Sequence, residues 1–208
     1  MRKSALRMAG IVLAVAVVAT AATALSKSDG STSDREQQRR ATSDQSLPVR
    51  NFHGLYYHTA ENIRGLANSA VAVVHAEATA SNQEPGEDPD LVYTHQEFRT
   101  IEVFRGEVGP EFTVFLTGGV VEEGPNGPYL LEDAENPQYE RGSNYFLVLA
   151  QHPSIPHEYV AIGPSQGRYE IVNERLQALP AAKKFAIESR FDRITIRQAV
   201  DLLKDSRP

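Results

Sequence analysis

The feature that most constrains the fold is the stretch Leu91–Gly119, LVYTHQEFRTIEVFRGEVGPEFTVFLTGG. It reads as a long strand (Leu91–Phe104), a tight turn (Arg105–Pro110), a returning strand (Glu111–Thr117) and a glycine pair. β-branched and aromatic residues dominate both arms, and Gly106, Gly109 and Pro110 punctuate the turn. In the returning strand Phe112, Val114 and Leu116 share one face and Phe115 takes the other. The long strand does not hold one phase: Tyr93, Ile101 and Val103 are odd-numbered, Phe98 and Phe104 even. A one-residue slip between Phe98 and Ile101 is what a β-bulge produces, and a bulged strand bends as a small barrel requires.

The flanking segments read as more of the same sheet. Ala70–Ala80 is a first strand with Val71 and Val73 on one face and Ala72, Val74 and Ala76 on the other, so both faces are covered. Ser81–Asp90 is a loop broken by Pro85, Gly86 and Pro89. Val120–Leu131 is interrupted by Gly and Pro, and Glu132–Gly142 is a polar loop. Asn144–Ala150 (NYFLVLA) is the most apolar strand and belongs at the centre. Tyr159–Ile162 and Arg168–Val172 read as a hairpin around Gly163–Gly167. Before the strands, Thr59 caps a short helix over Ala60–Asn68 that buries Ile63, Leu66, Ala67 and Ala70. After them, Thr195-Ile196-Arg197-Gln198 matches a capping box, followed by Ile196, Ala199, Val200 and Leu203 at helical spacing. Ala181–Ser189 is a shorter helix with Pro180 at its first turn.

Roughly six or seven strands without strand–helix–strand alternation argue against a parallel sheet. The fold class is mainly β: a small antiparallel barrel of oligonucleotide/oligosaccharide-binding (OB) type, with a short N-terminal helix and one or two C-terminal helices. A β-sandwich is the alternative.

The N-terminal part has a different character. In Met1–Ala24, Arg2, Lys3 and Arg7 precede the apolar run Ala9–Val18, and Ala22-Thr23-Ala24 is an A-x-A site with cleavage expected after Ala24. The apolar span Ala9–Leu25 is close to the ~17–25 residues a membrane helix needs, so an uncleaved single-pass anchor is the other reading. Either way the basic front sends the body out of the cytoplasm, secreted or attached to the envelope. Residues 25–50 have almost no large apolar side chain and read as a flexible polar tether, leaving 51–208 as the folded domain.

Composition then excludes several functions. The 208 residues contain no Cys, which removes a disulfide framework, a thiolate metal site and a Cys nucleophile. Without the first 24 residues the balance is 18 basic against 27 acidic side chains. So acidic a body is a poor partner for nucleic acid, and it meets a membrane only through its N-terminal segment.

Four features together resemble a loose group of exported bacterial proteins of unassigned role. They are the turn Val103-Phe104-Arg105-Gly106, the Thr113-Val114 strand ending in Gly118-Gly119, the Gly142–Leu149 strand, and Gly163–Tyr169 (GPSQGRY). The domain of that group is similar to the OB-like barrel of tissue inhibitors of metalloproteinases and netrin modules. The resemblance covers Asn62–Val172 and rests on core residues and glycines. It implies a fold and transfers no functional residue, because those inhibitors chelate zinc through an N-terminal cysteine that this chain lacks.

No residue pattern carries a catalytic signature. There is no P-loop and no G-x-S-x-G, and Ser165 in Gly163–Gly167 joins two strands rather than a strand and a helix. The histidines are His53, His58, His75, His95, His152 and His157, with no ligand spacing on a helix. Glu84, Glu87, Asp88 and Asp90 are candidate oxygen ligands for Ca²⁺ in one loop, without EF-hand spacing. Glu122-Glu123 and Glu132-Asp133 are paired acids with no sign of convergence across a cleft. Tyr93, Tyr129 and Tyr139 are candidate exposed aromatics for a binding face. Gly106, Gly118, Gly119, Gly163 and Gly167 read as structural glycines at barrel corners. The expectation is a non-enzymatic module, without cofactor, that binds a protein or an envelope polymer. The alternatives are an extracytoplasmic hydrolase using Glu122, Glu132 and His95, and a metal-dependent adhesion or structural domain.

Overall fold

In the computed structural model, residues 47–52, 58–88, 90–163, 165–180 and 186–206 are described. The chain divides into two units between Gln45 and Ser46, and the described residues all lie in the second. The expected export signal, the Ala24 cleavage site, most of the tether, His53, and the aromatics Tyr56 and Tyr57 lie outside the described residues.

The two arms of the sequence hairpin are β3 (Val92–Arg105) and β4 (Glu111–Thr117), antiparallel from Tyr93↔Thr117 to Arg99↔Glu111. Gly106 turns the chain at φ 76°, and any side chain there would collide with the carbonyl of Val71. The other edge of β3 pairs with β2 (Ala72–Pro85). On that edge Glu102 pairs with His75 and Thr100 with Ala76, so Ile101 has no partner. This bulge sits where the alternation slips. Past it, however, the apolar residues do not turn inward: Ile101 is 47% and Val103 39% exposed. A second irregularity sets Thr79 and Ala80 of β2 against Glu97 alone.

The central strand is β7 (Asn144–Gln151). It pairs along one edge with β2, from Ala72↔Leu149 to Glu77↔Asn144. Its other edge is shared. β9 (Arg168–Val172) takes Tyr145–Leu147, and β8 (Glu158–Ala161) takes Leu149–Gln151. β8 also pairs in parallel with β4 at Thr113 and Val114. The pairings therefore run β7–β2–β3–β4–β8 and return to β7, the circuit that a barrel needs and two separate layers do not. The hairpin expected around Gly163–Gly167 is corrected: β8 and β9 lie one after the other along β7. Gly167 makes this fit, because a side chain there would strike the carbonyl of Val148.

Four further strands raise the total above the expected six or seven. β5 (Gly119–Val121) and β6 (Tyr129–Asp133) are antiparallel, and β1 (Val49–Phe52) lies parallel to β6. So the last tether residues, Val49 and Arg50, belong to a strand. β10 (Arg175–Gln177) forms a hairpin with β9, through Asn173 and Glu174 at φ 51° and 64°. Such paired left-handed residues are what a tight hairpin turn demands. β2 runs to Pro85, beyond the expected end at Ala80, because pairing with β3 carries its polar tail.

The two larger of the three cores among the described residues follow from the alternation. Inside the circuit, Ala72, Val74, Ala76 and Ala78 of β2 face the rings of Phe98, Phe112, Tyr139 and Tyr145. Small residues on one strand leave room for large ones opposite. Outside it, Phe146, Val148 and Ala150 of β7 pack with α1 (Ile63–Ser69), α2 (Ala186–Phe191) and α3 (Ile196–Asp205). β7 is thus buried on both faces, which its unbroken apolar sequence required. α1 buries Ile63, Leu66 and Ala67 as expected, but its cap is Asn62, whose side chain accepts from the Gly65 amide, not Thr59. α3 carries the expected reciprocal capping box of Thr195 and Gln198. Among the described residues no helix is long and apolar enough to cross a membrane.

Candidate functional site

Because side chains alternate, the odd-numbered residues of β3 and β4 form the outer face of the circuit. Tyr93 lies beside Thr117, His95 beside Phe115, Glu97 beside Thr113 and Arg99 beside Glu111. Glu158 of β8 registers with Thr113 and joins the row. Tyr93 packs against Phe115 with ring centroids 5.1 Å apart, and His95 meets Phe115 edge-on at 5.6 Å.

His95 is held at both nitrogens. Nδ1 lies 2.8 Å from Glu158 Oε1, and Nε2 lies 3.2 Å from Glu84 Oε1. Only Nδ1 makes a hydrogen bond, to Glu158; Nε2 meets Glu84 at ion-pair distance without hydrogen-bond geometry. Burial opposes a charge on the ring, but the Glu158 hydrogen bond and the charges of Glu158 and Glu84 outweigh it and raise His95 above the ordinary histidine value. Glu158 is the stronger partner: its side chain is 17% exposed, against 56% for Glu84. His152 lies nearby, its ring 4.7 Å from Phe115. Its Nδ1 accepts from the amides of Ser154 (3.1 Å) and Ile155 (2.8 Å), which places any ring proton of the neutral form on Nε2. Burial holds His152 below the ordinary value, with Glu158 pulling it up and His95 pushing it down. The His95–Glu158 pair ties β3 to β8.

At the other end of the same face the Thr79–Ala80 irregularity bends β2 away from β3. A groove of about 440 Å³ lies there, lined by Thr79, Ala80, Glu97, Arg99, Glu111, Thr113 and Arg141, and bordered by the buried Phe98 and Phe112. Arg99 is paired with Glu77, and the Thr79 hydroxyl donates to the Glu97 carbonyl at 3.2 Å. Among the described residues no hydrogen bond or ion pair engages the side chains of Glu97, Glu111, Thr113 or Arg141.

Of the three tyrosines expected to form a binding face, only Tyr93 lies on an open one. Tyr139 and Tyr129 are 7% and 3% exposed. Tyr139 packs inside the strand circuit beneath the Arg168 guanidinium, 3.7 Å from its ring centre, and burial pushes its hydroxyl up to about 12 despite the Arg168 charge. Tyr129 packs with Val92, Val121 and Leu131 under Arg50, at 4.0 Å. Large amphipathic rings fill cores as well as they line surfaces.

The expected Ca²⁺ ligands are not brought together. Glu84 is in β2 and turned to His95, and Asp88 accepts from the Asp90 amide at 3.0 Å as a local turn. Among the described residues no group of three or more His, Asp or Glu side chains has metal-holding geometry. The carboxylates at His95 are Glu84 and Glu158, not the Glu122 and Glu132 of the hydrolase reading. Ser165 is buried, and its hydroxyl donates to Glu188 Oε1 at 2.8 Å. Gly106, Gly118, Gly119 and Gly163 all have positive φ, and Gly167 is required by close approach. Sequence reasoning does not single out Glu158, Thr113, Arg99 or Arg141. Strand alternation places Arg99 and Thr113 on one face, but nothing local brings Glu158 or Arg141 to it.

The sequence matches no family model, and no curated protein shows significant similarity to it.

Proposed function

We propose that this chain is an exported, non-enzymatic binding module, and that its ligand face is the outer face of β3 and β4. The observation that supports this reading is the row Tyr93–Phe115, Glu97–Thr113, Arg99–Glu111. It is a face of rings, hydroxyls and charges on a rigid sheet, and among the described residues the side chains of Glu97, Glu111 and Thr113 make no hydrogen bond or ion pair. Sites carried on strands are held more firmly than sites on loops. Export rests on Met1–Ala24, and the acidic body favours a protein or an uncharged envelope polymer over nucleic acid.

The test is capture from envelope extract with the full-length chain as bait. The wild type retains a partner, and Thr113→Arg, which fills the centre of the face, loses it with an unchanged thermal melt. Equal capture by the variant sinks the face assignment, and turnover of an envelope polymer by the wild type sinks the non-enzymatic reading.

A further inference from the structure

We propose that the groove at Thr79–Ala80 is a binding site for a neutral oligosaccharide. This inference rests on the binding-module reading and names the ligand of its face. The groove lies at a pairing irregularity, where two residues of β2 stand against Glu97 alone. Irregularities of this kind recur beside functional sites, and about 440 Å³ falls within the range of small-molecule sites.

The lining selects the chemistry. Glu97 and Glu111 repel anions and Arg141 opposes a cation, while Arg99 is already paired with Glu77, so a ligand of either single sign meets a like charge in the lining. What matches planar carboxylates and guanidinium groups interleaved with two threonine hydroxyls is a ligand rich in groups that both donate and accept. Vicinal hydroxyls do this: their hydrogens go to Glu97 and Glu111, and their oxygens take hydrogens from Arg141. A sugar ring also has an apolar C–H face, which suits Ala80. A peptide would need backbone donors and acceptors along an open strand edge. Glu97, Arg99, Glu111 and Thr113 all stand instead on two strands paired with each other.

The ¹⁵N-labelled full chain is titrated by NMR with cellobiose and, separately, with di-N-acetylchitobiose, then with tetra-alanine and inorganic phosphate at matched concentrations. At least one disaccharide produces saturable shifts at the amides of Thr79, Glu97, Glu111, Thr113 and Arg141. Glu111→Gln and Arg141→Ala, both at exposed positions, each weaken it by about tenfold or more. No saturable shift with either sugar, shifts elsewhere, or shifts untouched by both variants overturns the proposal. Stronger shifts from tetra-alanine at the same amides overturn it in favour of a peptide, and stronger shifts from phosphate in favour of an anion. If sugars fail while the wild type still captures an envelope partner and Thr113→Arg does not, the oligosaccharide assignment falls and the binding-module reading stands.

Discussion

His95 Nδ1 and Glu158 Oε1 lie 2.8 Å apart, joining β3 to β8 across sixty-three positions of sequence. β8 meets β4 at only Thr113 and Val114, so this pair reinforces the shortest seam of the circuit.

The seam is therefore pH-dependent. His95 is raised in the folded state, so its contribution is complete below the unfolded value of about 6.5 and is lost as pH rises through the folded value. Histidine NMR shifts should report this titration above the ordinary range, and Glu158→Gln should bring it down. The melting-temperature difference between wild type and His95→Gln should shrink from pH 6 to pH 9. A constant difference would show that the charge plays no part.

His152 slopes the other way. Its folded value is depressed, so its contribution is present above about 6.5 and declines as pH falls through the folded value. In one titration series its resonance should therefore move at lower pH than that of His95; coincident midpoints would contradict the arrangement.

Arg168 is 2% exposed and holds the 136–138 segment, donating to Asn136 Oδ1 at 3.3 Å, to the Pro137 carbonyl and to the Gln138 carbonyl at 2.9 Å. Arg168→Ala leaves these acceptors unsatisfied beneath Tyr139 and should cost about 3 kcal/mol in urea unfolding. Arg168→Lys should recover little, since an ammonium cannot span the acceptors and stack on the ring.

Gly106 and Gly142 separate strain from collision. Both have positive φ, 76° and 84°, but only at Gly106 would a side chain strike backbone. Gly142→Ala should cost about 1 kcal/mol and Gly106→Ala clearly more, measured by denaturant midpoint.

The bulge yields a further contrast. Phe98 is fully buried and stacked on Phe112 at 5.3 Å, whereas Ile101 stands out of the ladder. Phe98→Ala should cost about 3–5 kcal/mol and Ile101→Ala under about 0.5. Similar costs would place Ile101 inside.

Much of this was legible in sequence where one strand or helix turn decides the outcome. Thr195 and Gln198 form the capping box three residues apart, and Phe112, Val114 and Leu116 share a face because alternation puts them there. Asn144–Ala150 had to be buried on both sides, since no polar residue interrupts its apolar run. The helix cap shows the limit of local reading: Thr59 and Asn62 are both competent, and Asn62 wins because its side chain reaches the Gly65 amide.

The sequence by itself determined the mainly β class, the slip at Ile101 and the faces of β4, because each depends on neighbours within a few residues. Only the tertiary structure decided that β8 and β9 share one edge of β7, that Tyr129 and Tyr139 go inside, and that Glu158 and Arg141 reach the face of β3. Alternation says which way a side chain points but not which strand lies next to it. A tyrosine suits a core and a surface equally, so its place is decided by the strands that close over it.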